Sequence, residues 1–346
     1  MNTIQNILAN LRHGESVNIA ELVTLLKAQG EDCNRIYTAA DQVRKAGMGD
    51  EVYLRGIIEF SNICKNRCGY CGIRVDNKDV KRYRMNDDEI LQTAHNATRW
   101  GCGTVVLQSG VDPCFSIERM CTIIKRIKAE TGLAVTLSIG VLSRDDLAQL
   151  KKAGCDRYLL RFETSHLDTF TSIHPDDSFE SRIGCLVDLR ELGFQVGSGF
   201  MIGLPDATLE MIAADILYTT RIKLDMIGCG PFLSHPDTPM AEKPQLSDIS
   251  VYYKTIALLR LLNPKAHIPA TTAFDALEAN GRNNILMRGA NVFMPNLTPG
   301  KYRNLYQLYP NKPCVDEDGA ACATCVRKRL AALNRPLGTG PGHSRL

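Results

Sequence analysis

The first 48 residues carry their apolar positions at helical intervals, with Leu22, Leu25 and Leu26 and then Val43, and they show no alternation of the strand type. From Val52 the pattern changes to short β-rich or apolar runs separated by helical stretches. Strands are predicted over 52–60, 104–108, 134–139, 157–161, 195–202, 226–232, 268–272 and 291–294. Asp87 or Asp88 is placed to cap a helix that runs to Trp100 and ends at Gly101. Ser116 caps a helix to Glu130, and Ser143 opens one that Gly154 ends. One phrase recurs: a helix ending in Gly, then within one or two residues an apolar strand. It stands at Gly101, Gly154, Gly193 and Gly289.

Strands that alternate with helices imply a parallel sheet. About eight such units between residues 52 and 300 match the size of a (β/α)8 barrel of the TIM type. A doubly wound open sheet is the competing fold, which periodicity alone leaves open. No G-x-G-x-x-G follows the first strand; a cysteine loop occupies that position. The expected organisation is a helical extension over 1–48, a barrel over 49–300 and a C-terminal extension over 301–346. The end of that extension holds five Arg or Lys with Gly338, Gly340, Pro341 and Gly342, and is expected to be a frayed, flexible tail.

Charge narrows the function classes. With 41 basic and 38 acidic residues among 346, the formal charge is +3, which argues against a dedicated nucleic-acid binder. No apolar run reaches the roughly 18 residues of a membrane span. Met1–Ala9 has no secretory pattern, so a cytoplasmic protein is expected. The thirteen cysteines are an odd number, which fits a reducing compartment where Cys serves as a small buried hydrophobe or a metal ligand. Cys102, Cys155 and Cys185 sit in apolar surroundings and are expected to pack in the core.

Two cysteine clusters depart from that pattern. Cys64, Cys68 and Cys71 have the spacing C-x3-C-x2-C, and Cys314, Cys322 and Cys325 have C-x7-C-x2-C. Three thiolates within eight residues form a chelate for a soft metal or cluster. A structural zinc site wants four closed ligands, and the next imidazole, His95, falls in the middle of a helix. Three ligands on a cubane cluster leave one iron open to a substrate.

With Tyr70 before the last cysteine, and the loop following the first strand, this motif resembles the radical S-adenosylmethionine (SAM) superfamily. Further stretches resemble its FeFe-hydrogenase maturase HydE subfamily over residues 50–330. They are Arg55–Cys64, Tyr83–Met85, Leu107–Gly110, Arg157–Glu163, Gly228–Phe232, His235–Pro239, Pro269–Thr272, Met294–Asn296 and Tyr306–Pro310. The chain departs from the subfamily at two places. It has Arg161-Phe-Glu163 where Arg-His-Glu is frequent, and Ser109-Gly-Val-Asp-Pro113 where Ser-Gly-Glu-Asp-Pro is frequent.

The resemblance implies a 4Fe–4S cluster on Cys64, Cys68 and Cys71, whose open iron chelates SAM. It implies reductive cleavage of SAM to a 5′-deoxyadenosyl radical. It assigns Arg182 to the SAM carboxylate, Glu163 to the ammonium or ribose, and Gln108 and Ser109 to the methionyl group. Met201 and Met226 are expected beside the sulfonium and adenine, and Tyr70 and Tyr306 beside the adenine and ribose. Arg55, Thr136, Arg161, Thr271 and Thr272 are expected to form an anion-binding floor for a substrate carboxylate. The implied substrate is a cysteine-ligated iron carbonyl–cyanide precursor from a radical SAM partner maturase. The implied recipient is a GTPase scaffold, and the implied electron donor is ferredoxin or flavodoxin. Cys314, Cys322 and Cys325 have the spacing that some members use for an accessory 2Fe–2S cluster, which others lack. The rival readings are a mutase similar to methylornithine synthase, an enzyme similar to biotin synthase, whose barrel-interior ligands of a sulfur-donor cluster are not recognisable here, and an iron–sulfur carrier with no activity.

Overall fold

The computed structural model describes residues 3–244, 246–315 and 319–346. Its strands are β1 (Tyr53–Ser61), β2 (Thr104–Ser109), β3 (Ala134–Ser138), β4 (Arg157–Leu159), β5 (Gln195–Ser198), β6 (Met201–Ile202), β7 (Met226–Ile227), β8 (Gly230–Pro231), β9 (Pro269–Ala270) and β10 (Val292–Phe293). Eight of them pair in parallel in the order β7-β5-β4-β3-β2-β1-β10-β9. A parallel bridge between Met226 and His267, with the Ile227 N–H donating to His267 O at 2.8 Å, brings the two edges together. This is the (β/α)8 barrel that the sequence led us to expect; an open sheet would leave those edges apart.

Two expected strands are each broken in two. β6 and β8 pair only with each other and continue β5 and β7 past Gly199 and Gly228. A Cβ at Gly199 would stand 2.4 Å from Gly228 O, so the two backbones meet where only glycine fits. The helices follow their expected bounds closely. Ser116 caps Ile117–Thr131 and Ser143 caps Arg144–Lys152. The helix Asp87–Arg99 is capped by Asn86 instead of Asp87 or Asp88. Asn86 and Glu89 exchange side-chain and backbone hydrogen bonds in a capping box, which leaves both aspartates in the first turn. The N-terminal helices Thr3–Arg12, Ile19–Leu26 and Gly30–Met48 pack on the outer helices Leu209–Arg221 and Ile249–Leu262. Cys102, Cys155 and Cys185 are buried in the core.

The C-terminal residues do not fray. After the helix Gly319–Ala332 the chain crosses the N-terminal mouth of the barrel, where Val52 exchanges backbone hydrogen bonds with Pro336 and Gly338 at 2.9 Å each. Arg157, fully buried at the start of β4, donates to Pro341 O (3.0 Å) and Gly342 O (3.2 Å). Arg55 also donates to Gly342 O, at 3.1 Å. Two buried guanidiniums need acceptors, and a glycine-rich segment brings carbonyls in without bulk. Its composition suggested a solvated tail; its partners make it a floor.

Candidate active site

β1 delivers the chain to the open end of the barrel, and the cysteine loop begins one residue later. Its irregular backbone is held from three sides. Arg82 donates to the carbonyls of Asn62, Ile73, Arg74 and Asn77 at 2.7–2.9 Å. Asn62 donates to Lys81 O and Leu305 O. The N–H groups of Gly69 and Gly72 donate to Ile173 O and Leu308 O. At Gly110, just past β2, a Cβ would lie 2.3 Å from Ile63 O and 2.6 Å from Cys64 Cβ, so this glycine lets the loop settle on the strand end.

Cys64 Sγ accepts the N–H groups of Asn66 and Val111 at 3.4 Å each. Burial, reinforced by the neighbouring thiols, pushes Cys71 up to about 12 and Cys68 well above the ordinary thiol range. Cys68 and Cys71 therefore resist ionisation without a cation, which is the environment a soft metal centre relieves.

The three cysteines border a cavity of about 360 Å³ at the C-terminal ends of the strands. Tyr70, Gln108, Ser109, Glu163, Arg182, Met201, Met226 and Tyr306 all line it, and so do Arg55, Thr136, Arg161, Thr271 and Thr272. Within the wall, Arg161 Nη2 stands 2.7 Å from Glu163 Oε2. Arg182 is not free: it donates to Asp177 through two nitrogens, at 2.9 and 2.5 Å, and to Arg161 O at 2.8 Å. The Ser109 hydroxyl turns to Gly110 O, Thr271 to Cys229 O and Thr272 to the Tyr309 hydroxyl. Met201 also packs against Ile173, Leu204 and Phe232, so it serves core and cavity together.

Two buried polar atoms of this wall, Arg55 Nε and Thr136 Oγ1, lack a hydrogen-bond partner among the described residues, and Glu163 Oε2 meets only the Arg161 guanidinium. Buried polar atoms are nearly always satisfied. Two unpartnered atoms, one a donor and one a hydroxyl, beside a carboxylate therefore fit a ligand with both donors and acceptors, and an amino acid derivative such as SAM has both. Burial, with Arg157 nearby, pushes the Arg55 guanidinium well down, a cost that an anion beside it would offset.

Residues that the sequence did not single out complete the site. Glu59 and Lys312 both line the cavity and form a buried ion pair. Their positions 253 apart in the chain gave no signal of contact. His174 Nδ1 lies 3.5 Å from Cys68 Sγ, and its Nε2 3.1 Å from the Tyr70 hydroxyl. Burial, with Arg182 and Arg161 close by, pushes His174 down to about 2, so the ring is neutral. The departures from the resembling subfamily also resolve. Phe162 is wholly buried against Phe200 and Tyr218, away from the cavity, whereas Val111 lines it.

Cys314 and Cys322 lie together outside the cavity lining, with Cys314 pushing the Cys322 thiol up. Cys325 is one turn beyond Cys322 on the helix Gly319–Ala332. Arg282 donates to Cys314 Sγ at 3.7 Å. Among the described residues no three His, Cys, Asp or Glu side chains converge closely enough to hold a single metal ion.

Comparison with known proteins decides the family. The radical SAM superfamily model matches residues 58–218. The [FeFe] hydrogenase maturase subunit HydE of Thermotoga maritima is 47% identical over 303 residues, covering 88% of this chain and 86% of that protein. The chain belongs to the HydE family. It is a radical SAM enzyme, of a superfamily that works with a 4Fe–4S cluster and SAM. A more distant relative, 3-methylornithine synthase of Methanosarcina barkeri, is 28% identical over 81% of this chain and 79% of its own. A solved methylornithine synthase superposes with a TM-score of 0.84 at 25% identity, covering 96% of this chain and 97% of that one. The fold of this chain and that of the synthase are thus nearly congruent. Among the described residues no helix is long and apolar enough to cross a membrane.

Proposed function

We propose that this HydE-family enzyme takes part in assembling the di-iron cofactor of an FeFe-hydrogenase in the cytoplasm, with Cys64, Cys68 and Cys71 holding its 4Fe–4S cluster. The observation that carries this reading is the union, in one cavity, of three half-buried thiols with two unpartnered polar atoms, Arg55 Nε and Thr136 Oγ1, and the Glu163 carboxylate. When bound, the cluster supplies an electron that splits SAM into methionine and a 5′-deoxyadenosyl radical. The protein's own part is to bind, orient and exclude water. Glu163 accepts a donor of SAM, and a remaining N–H of Arg182 meets its carboxylate. Gln108 and Ser109 flank the methionyl chain. Tyr70, Met201, Met226 and Tyr306 keep water from the adenosyl group.

Deeper in the barrel, Arg55, Thr136, Arg161, Thr271 and Thr272 offer positive charge and hydroxyls to a carboxylate. That suits a cysteine-ligated iron carbonyl–cyanide precursor, supplied by a radical SAM partner maturase and passed on to a GTPase scaffold. Ferredoxin or flavodoxin fits the role of electron donor. Cys314, Cys322 and Cys325 would hold an accessory 2Fe–2S cluster that turnover does not need.

Anaerobic incubation of reduced, reconstituted protein with SAM tests the reading. Release of 5′-deoxyadenosine is expected from the parent and from Cys322→Ala, but not from Cys68→Ala. Equal loss in both variants defeats the accessory role, and no release from any of them leaves only an iron–sulfur carrier.

A further inference from the structure

The charge of the chain is unevenly spread. Residues 64–84 hold seven Lys or Arg against two Asp, which leaves 34 basic and 36 acidic residues for all the rest. The cysteine loop is thus the part that makes the molecule basic. Three of its cations hold the loop together. Arg74 donates to the carbonyls of Arg67 and Cys68, Arg82 donates to four others, and two bonds fix Arg84 on the buried Asp112. Arg67 pairs with Asp176, yet its side chain stays 54% exposed. Lys65, Lys78 and Lys81 are exposed, and among the described residues none of them pairs with a carboxylate.

The run of the loop places these side chains. Cys64, Asn66, Cys68 and Tyr70 line the cavity, whereas the intervening Lys65, Arg67 and Gly69 do not. The segment therefore turns its cysteines inward and two cations outward, each cation one residue from a cysteine. The Val75 N–H donates to Asn66 O at 3.0 Å, and Lys78 Nζ donates to Val75 O at 3.2 Å, which brings Lys78 beside the same segment. Asn62, two residues before Cys64, donates to Lys81 O at 2.9 Å. Four cations with exposed heads thus back the wall in which the thiols stand.

Reductive cleavage of SAM consumes one electron, which a donor has to bring from outside. The cavity face of the loop is the place of SAM, so the outer face is the side by which a donor approaches. A surface of unpaired ammonium groups favours a partner of opposite sign, and its long-range attraction speeds encounter without a tight complex. We infer that Lys65, Lys78 and Lys81, with Arg67, form the docking face for a small acidic one-electron carrier protein. The reduced carrier is oxidised by one electron, the cluster is reduced by one, and no atom is transferred. This rests on the proposal that the three cysteines hold the cluster, and it adds where the donor binds and by what force.

The test follows reduction of the reconstituted protein by a reduced acidic flavodoxin in stopped flow over a series of salt concentrations, together with the Kd of the oxidised flavodoxin. The parent is compared with Lys65→Glu/Lys78→Glu/Lys81→Glu, with the same three positions changed to Gln, and with Lys152→Glu/Lys223→Glu/Lys265→Glu. The last three lysines are exposed at or just past the C-terminal ends of outer helices, at the other end of the barrel, so that variant has the same net charge as the first. The parental rate should fall about tenfold from low to high salt as the attraction is screened. At low salt the loop Glu variant should be slower than the parent by about tenfold or more, with a salt dependence that is flat or inverted. Its Kd should rise in the same proportion. The Gln variant should lie between the two, and the distal variant should stay close to the parent. SAM cleavage driven by excess dithionite, which needs no docking, should be parental in all of them.

Parental rate and Kd in the loop Glu variant overturn the inference, and so does an equal loss in the distal variant. A parental flavodoxin rate combined with lost binding of the GTPase scaffold also overturns it, by giving this face to the scaffold. If the loop Glu variant takes up less iron than the parent, the rate and salt slope of the Gln variant decide in its place. If the parent takes up no iron, or cleaves no SAM even with dithionite, the reading of the cysteine loop has failed instead.

Discussion

Glu163 stands at φ 67°, a left-handed backbone conformation in which a side chain other than glycine or asparagine is uncommon. Two backbone bonds hold it there: its N–H donates to Gly199 O at 3.1 Å, and its own carbonyl accepts from Met201 at 2.9 Å. Strain of this kind persists where the surroundings enforce it, commonly at a ligand clamp. Glu163→Gln keeps the shape and removes the charge beside Arg161, so the Kd for SAM should rise about tenfold or more. Calorimetric titration of SAM into the reconstituted variant checks this, and unchanged affinity would remove Glu163 from the site. The next residues are tied down by Asp215, which accepts the Ser165 N–H and hydroxyl at 2.6 Å each. Burial pushes the Asp215 carboxyl from 3.8 up to about 6, against the lowering effect of the Ser165 bonds. A raised folded value means that the native state holds the proton more tightly than the unfolded chain. Stability from this group is therefore full below about pH 4 and lost as pH rises towards 6. The parent should lose more stability across that interval than Asp215→Asn, as read by urea unfolding at a series of pH values. The residues that gather around the cavity were legible in the sequence, some because polar side chains at the ends of apolar strands have few other reasons to be there and others, such as Arg182, only through the family resemblance. The φ of Glu163 was not, since nothing in the local residue types announces a left-handed glutamate.

Among the elements, the cysteine loop depends on contacts from far along the chain. Leu305 and Leu308 supply carbonyls to Asn62 and Gly72 across more than 200 residues, which is why periodicity saw the loop and not its anchors. Gly110 is its closest support. Gly110→Ala would drive a methyl group into Ile63 O and Cys64 Cβ, both well inside van der Waals contact, and backbone cannot yield cheaply. The expected outcome is a protein with parental far-ultraviolet circular dichroism that retains less than half of the parental iron after reconstitution. Parental iron content would show that the loop is held elsewhere. The same limit explains the broken strands. An apolar run over 195–202 looks continuous, yet Gly199 has to yield to the backbone at Gly228, and a pattern of side-chain types does not report two backbones meeting. The capping residue at Asn86 was missed for a smaller reason: three successive residues, Asn86, Asp87 and Asp88, all carry good caps, and only Asn86 has Glu89 at the third helical position to complete the box.

At the scale of the whole molecule, the barrel has an open end for chemistry and a closed end for stability, and the closed end is made by the segment whose composition pointed to disorder. Arg157 spans the floor, reaching Thr104 Oγ1, Gln195 Oε1, Pro341 O, Gly342 O and His343 Nδ1. Gly103 leaves room for the chain to pass, since a Cβ there would overlap Gly340 O. His267, beside the strand pairing that joins the barrel edges, contacts His343 O at 3.1 Å, so the tail also bears on closure. Removing residues 335–346 would leave Arg55 without its oxygen acceptor and Arg157 with two acceptors in place of five, and would open the buried floor to water. Each buried group left unsatisfied costs about 1–3 kcal/mol, so the melting temperature of the truncated protein should fall by roughly 5 °C or more. The cysteine loop lies at the opposite end of the strands and does not use the tail. Iron uptake at low temperature should therefore stay near the parental value, while Arg157→Ala in the full-length chain lowers the melting temperature in the same direction. A truncated protein with parental thermal stability would mean that the floor closes nothing, and one that loses iron in proportion to its stability would tie the two ends of the barrel together more strongly than these contacts imply.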